Sequence, residues 1–111
     1  MKIAIIGSRK ITVEHLETYL PENISEIVSG GARGVDGCAK EYALTHGIAY
    51  TEFLPDYARY GGGAPIIRNR QIVDHADEVI AFWDGASKGT KSVIEYCRKL
   101  GKKITVYQKI R

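Results

Sequence analysis

Only two cysteines occur in the 111 residues, Cys38 and Cys97, and neither a C-x-x-C nor clustered histidine partners accompany them. That weighs against a zinc site or a disulfide; both fall at apolar positions of expected helices and read as small core residues. His15, His46 and His75 lie far apart without ligand spacing, so no metal centre and no histidine catalyst are expected. Nowhere do about 18 apolar residues run together, and the N-terminal Met1 to Ile6 lacks the pattern of a signal peptide. A cytoplasmic, reduced protein with no membrane attachment is the expectation. Excess charge is scarce as well. Sixteen basic residues against 13 acidic ones give a formal net charge of +3, and the basic residues are spread out apart from a thin tail from Arg98 to Arg111. Such a balance does not suggest a strongly cationic nucleic-acid binder. No internal repeat, low-complexity segment or linker interrupts the chain, and its length suits one domain spanning residues 1–111.

What is present is an alternation of short apolar runs with helix-period segments. Lys2 to Ile6 reads as a strand buried on both faces, closed by Gly7-Ser8-Arg9. Thr12 as N-cap with Val13, Leu16 and Leu20 predicts a helix ended by Pro21, and Ile24 to Val28 a second strand. Val35, Cys38, Ala39, Tyr42 and Ala43 predict an amphipathic helix stopped by Gly47, followed by a strand over Ala49 to Leu54. Pro55 to Gly63 reads as a loop rich in tyrosine and glycine. Pro65 opens a helix with a polar run Arg68-Asn69-Arg70-Gln71, and Glu78 to Phe82 gives a fourth strand. Val93, Ile94, Cys97 and Leu100 form the apolar face of a last helix ending at Gly101, before a fifth strand over Ile104 to Tyr107. The pattern predicts a three-layer α/β/α, Rossmann-like fold with a mostly parallel sheet of about five strands.

Two glycine-rich turns stand at strand-to-helix junctions. Ser29-Gly30-Gly31-Ala32-Arg33-Gly34-Val35-Asp36 is spaced G-G-x-x-G, which is neither a dinucleotide fingerprint nor a P-loop. It reads either as a phosphate cradle or as a tight turn that binds nothing. Trp83-Asp84-Gly85-Ala86-Ser87-Lys88-Gly89-Thr90 is the second such turn. In an open parallel sheet both turns reach the carboxyl edge, where ligands bind near the reversal of strand order. There the backbone from Gly31 to Gly34 and at Gly89-Thr90 can donate to a phosphate, with Thr90 or Ser87 adding hydroxyls and Ser8 and Gly30 among the ligand-binding candidates. Gly7 closes the first strand beside them, and Arg9, Arg33 or Arg68 can add forked contacts, with Asn69 alongside.

Asp36 and Asp84 are placed to accept bonds from ribose hydroxyls, although Asp36 equally suits a first-turn carboxylate favoured by the helix dipole. Trp83, Tyr57 or Tyr60 can stack a base, and Trp83 fits a core position as well. A general acid or base beside the cradle must come from Asp36, Asp56, Asp84 or Glu95, and Glu95 lies more than a turn inside its helix. The residues supply a binding site more clearly than a catalyst.

The octapeptide, Arg68-Asn69, Asp77 and the stretch Phe82 to Thr90 together resemble the SLOG superfamily over nearly the whole chain. The likeness is closest to small single-domain bacterial and phage members, and more distant to the Lonely Guy phosphoribohydrolases and DNA-processing protein A. It implies a Rossmann-like fold, often dimeric, that binds nucleotides or nucleotide-derived molecules. In the phosphoribohydrolases an arginine and the glutamate of P-G-G-x-G-T-x-x-E carry the cleavage. Arg68 matches that arginine and Gly89-Thr90 the G-T, but Val93 stands at the glutamate position and Glu95 is two residues late. The resemblance therefore implies binding or sensing of a nucleotide-derived ligand, of NAD, ADP-ribose or nucleoside phosphate type, without a cofactor. The alternatives are N-glycosidic cleavage of a nucleoside 5′-monophosphate, with Arg68, Asp36 and Asp84 as its candidate residues, and single-strand DNA binding of the DNA-processing type.

Overall fold

Alternating side chains of the first strand serve two different cores, which fixes this strand at the centre of the fold. In β1 (Lys2–Gly7), Ile3 and Ile5 face one apolar cluster while Ala4 and Ile6 face the other. The computed structural model describes residues 1–108. Around β1 lie β2 (Glu26–Ser29), β3 (Ala49–Glu52), β4 (Glu78–Trp83) and β5 (Ile104–Gln108), in the order β3-β2-β1-β4-β5. All four pairings are parallel. The α/β layering expected from the alternation is present, and the sheet is parallel throughout.

Helix α1 (Val35–Thr45) packs on one face through Val35, Ala39 and Ala43. Helices α3 (Ala64–His75) and α4 (Lys88–Leu100) pack on the other through Ile72, Val73, Val93 and Cys97. Phe82 is fully buried on the α1 side, with the ring of Tyr19 edge-on at 5.1 Å and that of Tyr107 stacked at 5.5 Å. Glycine ends α1 and α4 as expected: Gly47 and Gly101 take φ of 66° and 71°. Cys97 is buried and Cys38 partly so, and both are free thiols.

The helix expected over Thr12 to Leu20 is absent. Only a 3-10 turn, Leu16–Tyr19, forms there. The apolar spacing was genuine, since Val13, Leu16, Tyr19 and Leu20 all pack on the α1-side cluster. Backbone preference overrode it: His15 turns into the left-handed region at φ 53°, and Leu20 is extended, as the residue before a proline prefers. The loop expected from Pro55 to Gly63 is instead helical from Tyr57 onward. Asp56 accepts the Arg59 amide at 3.1 Å and caps α2 (Tyr57–Tyr60), and a 3-10 turn of Gly61–Gly63 leads into α3. Two apolar assignments also fail. Leu54 lies beyond the end of β3 at 61% exposure, and Leu100 is 49% exposed at the end of α4. Of the basic tail, Lys109 and Arg111 lie outside the described residues.

Candidate functional site

Because β1 is followed on one side by β2 and on the other by β4, the carboxyl end of β1 is the switch point of the sheet. A cavity of about 480 Å³ opens there. Gly7, Ser8, Arg9 and Lys10 contribute from the end of β1, Ala32 and Asp36 from the start of α1, and Arg68 and Asn69 from α3. Asp84, Ser87, Gly89 and Thr90 enter from the turn into α4. Eleven of the sequence candidates thus meet at one place, although they are spread from residue 7 to residue 90.

The octapeptide is built differently from an open cradle. Its glycines make room for the chain itself. A side chain at Gly30 would meet Arg68 Nη1 at 2.7 Å, and one at Gly31 would meet the Glu52 carboxyl carbon at 2.6 Å. At Gly34 it would meet the Arg9 carbonyl oxygen at 2.5 Å. The Ala32 amide already donates to Asp36 Oδ2 at 3.1 Å, and Ser29 Oγ donates to the Ile5 carbonyl at 2.8 Å. Glu52 brings a negative charge against Gly31, braced by Tyr50 at 3.2 Å and Lys40 at 3.9 Å. Gly30, Gly31, Arg33 and Gly34 therefore do not line the main cavity; Gly31, Ala32 and Arg33 instead form an adjoining depression with Arg9 and Lys10.

The second turn is better presented to a ligand. Asp84 Oδ1 accepts both the Ala86 and Ser87 amides at 2.8 Å, and Ser87 Oγ accepts the Thr90 amide at 3.5 Å. These bonds preset the first turn of α4 and leave its Lys88 and Gly89 amides pointing out of the helix end. The amides of Ser87 and Ala86 also hold the Asp84 carboxyl below its ordinary range, so Asp84 remains a carboxylate at neutral pH. That ionised turn carboxylate is poorly suited to serve as a general acid. Trp83 is turned away: its indole N–H donates to the Ser87 carbonyl at 3.1 Å, and its ring is not part of the cavity lining.

A buried carboxylate and a half-buried guanidinium line the opposite wall. Asp36 is 6% exposed; burial pushes its carboxyl above the usual range, against the opposing pull of the Ala32 amide and the Arg68 charge. Its Oδ1 is buried without a hydrogen-bond partner. Arg68 is half-buried, and burial pushes its guanidinium down while Asp36 draws it back up. Arg68 donates through Nη1 to the Gly30 carbonyl at 2.8 Å and through Nε to Asn69 Oδ1 at 2.9 Å. Arg9 also acts on Arg68 as a like charge, a smaller effect than the pull of Asp36.

Val93 lines the cavity at 2% exposure, in the place where the resemblance implies a glutamate, and Glu95 is exposed on α4 outside it. Asp77 lies elsewhere, accepting the Lys2 amide at 2.8 Å at the start of β1. His75 binds Glu26 at 2.6 Å, away from the cavity. Lys10 was missed by sequence reasoning, although its position directly after Gly7-Ser8-Arg9 was a usable signal. Among the described residues no group of three or more metal-ligating side chains is assembled, and no helix is long and apolar enough to cross a membrane.

The sequence model of the family described as DNA recombination-mediator protein A matches residues 1–60, more than half of the chain. The chain belongs to this family. With it comes membership of the SLOG superfamily, and the matched half carries Gly7-Ser8-Arg9 and the whole octapeptide. A branch that the motifs alone placed at a distance is thus the one supported. The match ends before Arg68 and the second turn, and points in general to a nucleotide-related or DNA-processing role. No curated protein and no solved structure matches the chain.

Proposed function

We propose that this protein binds a nucleotide or nucleotide-derived molecule through its phosphate at the carboxyl edge of β1 and β4. One observation carries the reading: the preset first turn of α4 opens into the same cavity of about 480 Å³ as Arg9, Lys10 and Arg68. Helix-end amides and guanidinium groups both suit phosphate, and here they converge. Cavities of roughly 300–1,000 Å³ suit ligands of this size. Asp36 and Asn69 supply an acceptor and an amide for the sugar. The raised Asp36 carboxyl is also the best-placed acid should the N-glycosidic bond be cleaved, since Val93 leaves the expected position apolar.

Calorimetry against nucleoside monophosphates, ADP-ribose, NAD and cyclic dinucleotides tests the proposal. Binding of at least one, weakened by Arg68→Ala and Gly89→Pro, supports it; no heat with any of them defeats it. Chromatography of the same mixtures reads out free base if the bond is cleaved. A homodimer, implied by the resemblance, is tested by light scattering at working concentration.

A second reading is favoured by the family match together with the adjoining depression. Arg9 and Arg33 are exposed, and with Lys10 they extend the basic surface beyond the cavity. A single DNA strand that placed one phosphate in the cavity would run its next phosphate over this surface.

A further inference from the structure

We propose that Asp36 takes up a proton when the anionic ligand binds, so that the cavity admits a phosphate and a proton together. This rests on the nucleotide reading above and names what that same site does with charge. The ground is where the carboxyl sits. Asp36 lines the cavity from the first turn of α1 at 6% exposure, and its Oδ1 is buried without a hydrogen-bond partner. Its Oδ2 accepts the Ala32 amide at 3.1 Å, an uncharged donor. A buried carboxylate is ordinarily paired with a cation. One point beside Gly30 lies 2.7 Å from Arg68 Nη1 and 3.0 Å from Asp36 Oδ2, yet among the described residues no ion pair joins the two side chains. Arg68 Nη1 is engaged by the Gly30 carbonyl at 2.8 Å and its Nε by Asn69 at 2.9 Å.

A phosphate brought to Arg68 therefore meets a second negative charge within one cavity. Protonation of one of the two removes the repulsion. Asp36 is the group placed to take that proton. No histidine lines the cavity or the adjoining depression, and Arg9, Lys10 and Arg68 are donors with no acceptor site. Asp84, on the opposite wall, is held ionised by the Ser87 and Ala86 amides. On the β3 side, burial pushes the Tyr50 phenol up and keeps it neutral, while Glu52 lies against Gly31, beside Lys40 and outside the lining. Burial already biases Asp36 toward its protonated form.

ADP-ribose is the probe, because its bridging phosphates exchange no proton between pH 5 and 8. Calorimetry in two buffers of different ionisation heat counts the protons taken up, and the carbon-13 shift of the Asp36 carboxyl reports its state directly. Wild type is expected to take up as much as about one proton per ligand, and to weaken by up to about tenfold per pH unit above the Asp36 value of the free protein. Its Asp36 carbon moves toward the protonated position on binding. Asp36→Asn is expected to take up none and to bind with an affinity independent of pH. Binding without proton uptake by wild type at every pH overturns the proposal, as does uptake that persists in Asp36→Asn or an Asp36 carbon that does not move. Where Asp36→Asn does not fold, the carboxyl shift of wild type decides alone. Where ADP-ribose does not bind, that shift is read with the member of the calorimetric series that does; if none binds, the nucleotide reading falls and this proposal with it.

Discussion

Arg68 and Asp36 flank the α-carbon of Gly30, where a methyl group would lie 2.7 Å from the guanidinium nitrogen and 3.0 Å from the carboxylate oxygen. One comes from α3 and the other from α1, so helices on both faces of the sheet reach the cavity beside Gly30. Gly30 itself is buried and accepts from Arg68 at 2.8 Å. Neither neighbour can withdraw without loss: Asp36 holds the Ala32 amide and Arg68 holds two carbonyls. Gly30→Ala should therefore cost about 1–3 kcal/mol, the range of an overpacked site, and lower affinity for a nucleotide. The midpoint of urea unfolding and calorimetry on the same sample check both parts.

The two carboxylates of the cavity give opposite pH dependence. Asp36 is raised by burial, so the folded state prefers it protonated; its contribution is full below the ordinary value of 3.8 and is lost as pH rises through the folded value. Asp84 is lowered by the Ser87 and Ala86 amides, so its contribution is present above 3.8 and is lost as pH falls through the folded value. Asp36→Asn should flatten the decline of stability on the alkaline side of pH 4. Asp84→Asn should flatten the decline on the acid side. Urea midpoints measured from pH 2.5 to 7 for the three proteins check the signs.

How much of this was legible differs by element. β1, α1 and α4 carry strong periodicity and clear stops at Gly47 and Gly101, and all three form where the pattern placed them. Residues 12–20 show helical spacing of apolar side chains, yet spacing reports burial and not backbone conformation. Proline after Leu20 and the left-handed His15 decided the outcome. Glycine content pointed to the sheet edge where the cavity lies, but not to how its turns are packed. Whether a glycine admits a ligand or the chain's own Arg68 and Glu52 depends on contacts 38 and 21 residues away, which no local motif encodes. The direction of Trp83 was equally out of reach, since it depends on the Ser87 carbonyl being turned toward it.

Gly62 offers a stability gain because no neighbouring atom explains the glycine there. Its φ is not positive and its surroundings are open, so alanine loses nothing sterically and restricts the unfolded chain. Gly62→Ala should raise stability by about 0.4–1 kcal/mol. Gly61→Ala, at φ 58°, should lower it, because an L side chain strains the left-handed region. Paired thermal melts of the two variants distinguish local propensity from any general effect of added bulk.

Arg33 separates a free nucleotide from a DNA strand. It lines the depression beside the cavity but not the cavity itself, so a mononucleotide held at the α4 terminus does not reach it. Arg33→Ala should leave mononucleotide affinity unchanged within about twofold, as a distant exposed change does. A single strand crossing both basins behaves differently, because each neutralised phosphate releases counterions. Affinity for an oligodeoxynucleotide should then fall, and the slope of log affinity against log salt should become shallower by about 0.7. Arg68→Ala, which opens the main cavity, should weaken both ligands. Fluorescence anisotropy between 50 and 200 mM salt gives the slopes. If Arg33→Ala changes neither ligand, the strand does not pass over the depression and the single-strand reading loses its structural support; if it weakens both equally, the two basins act as one site.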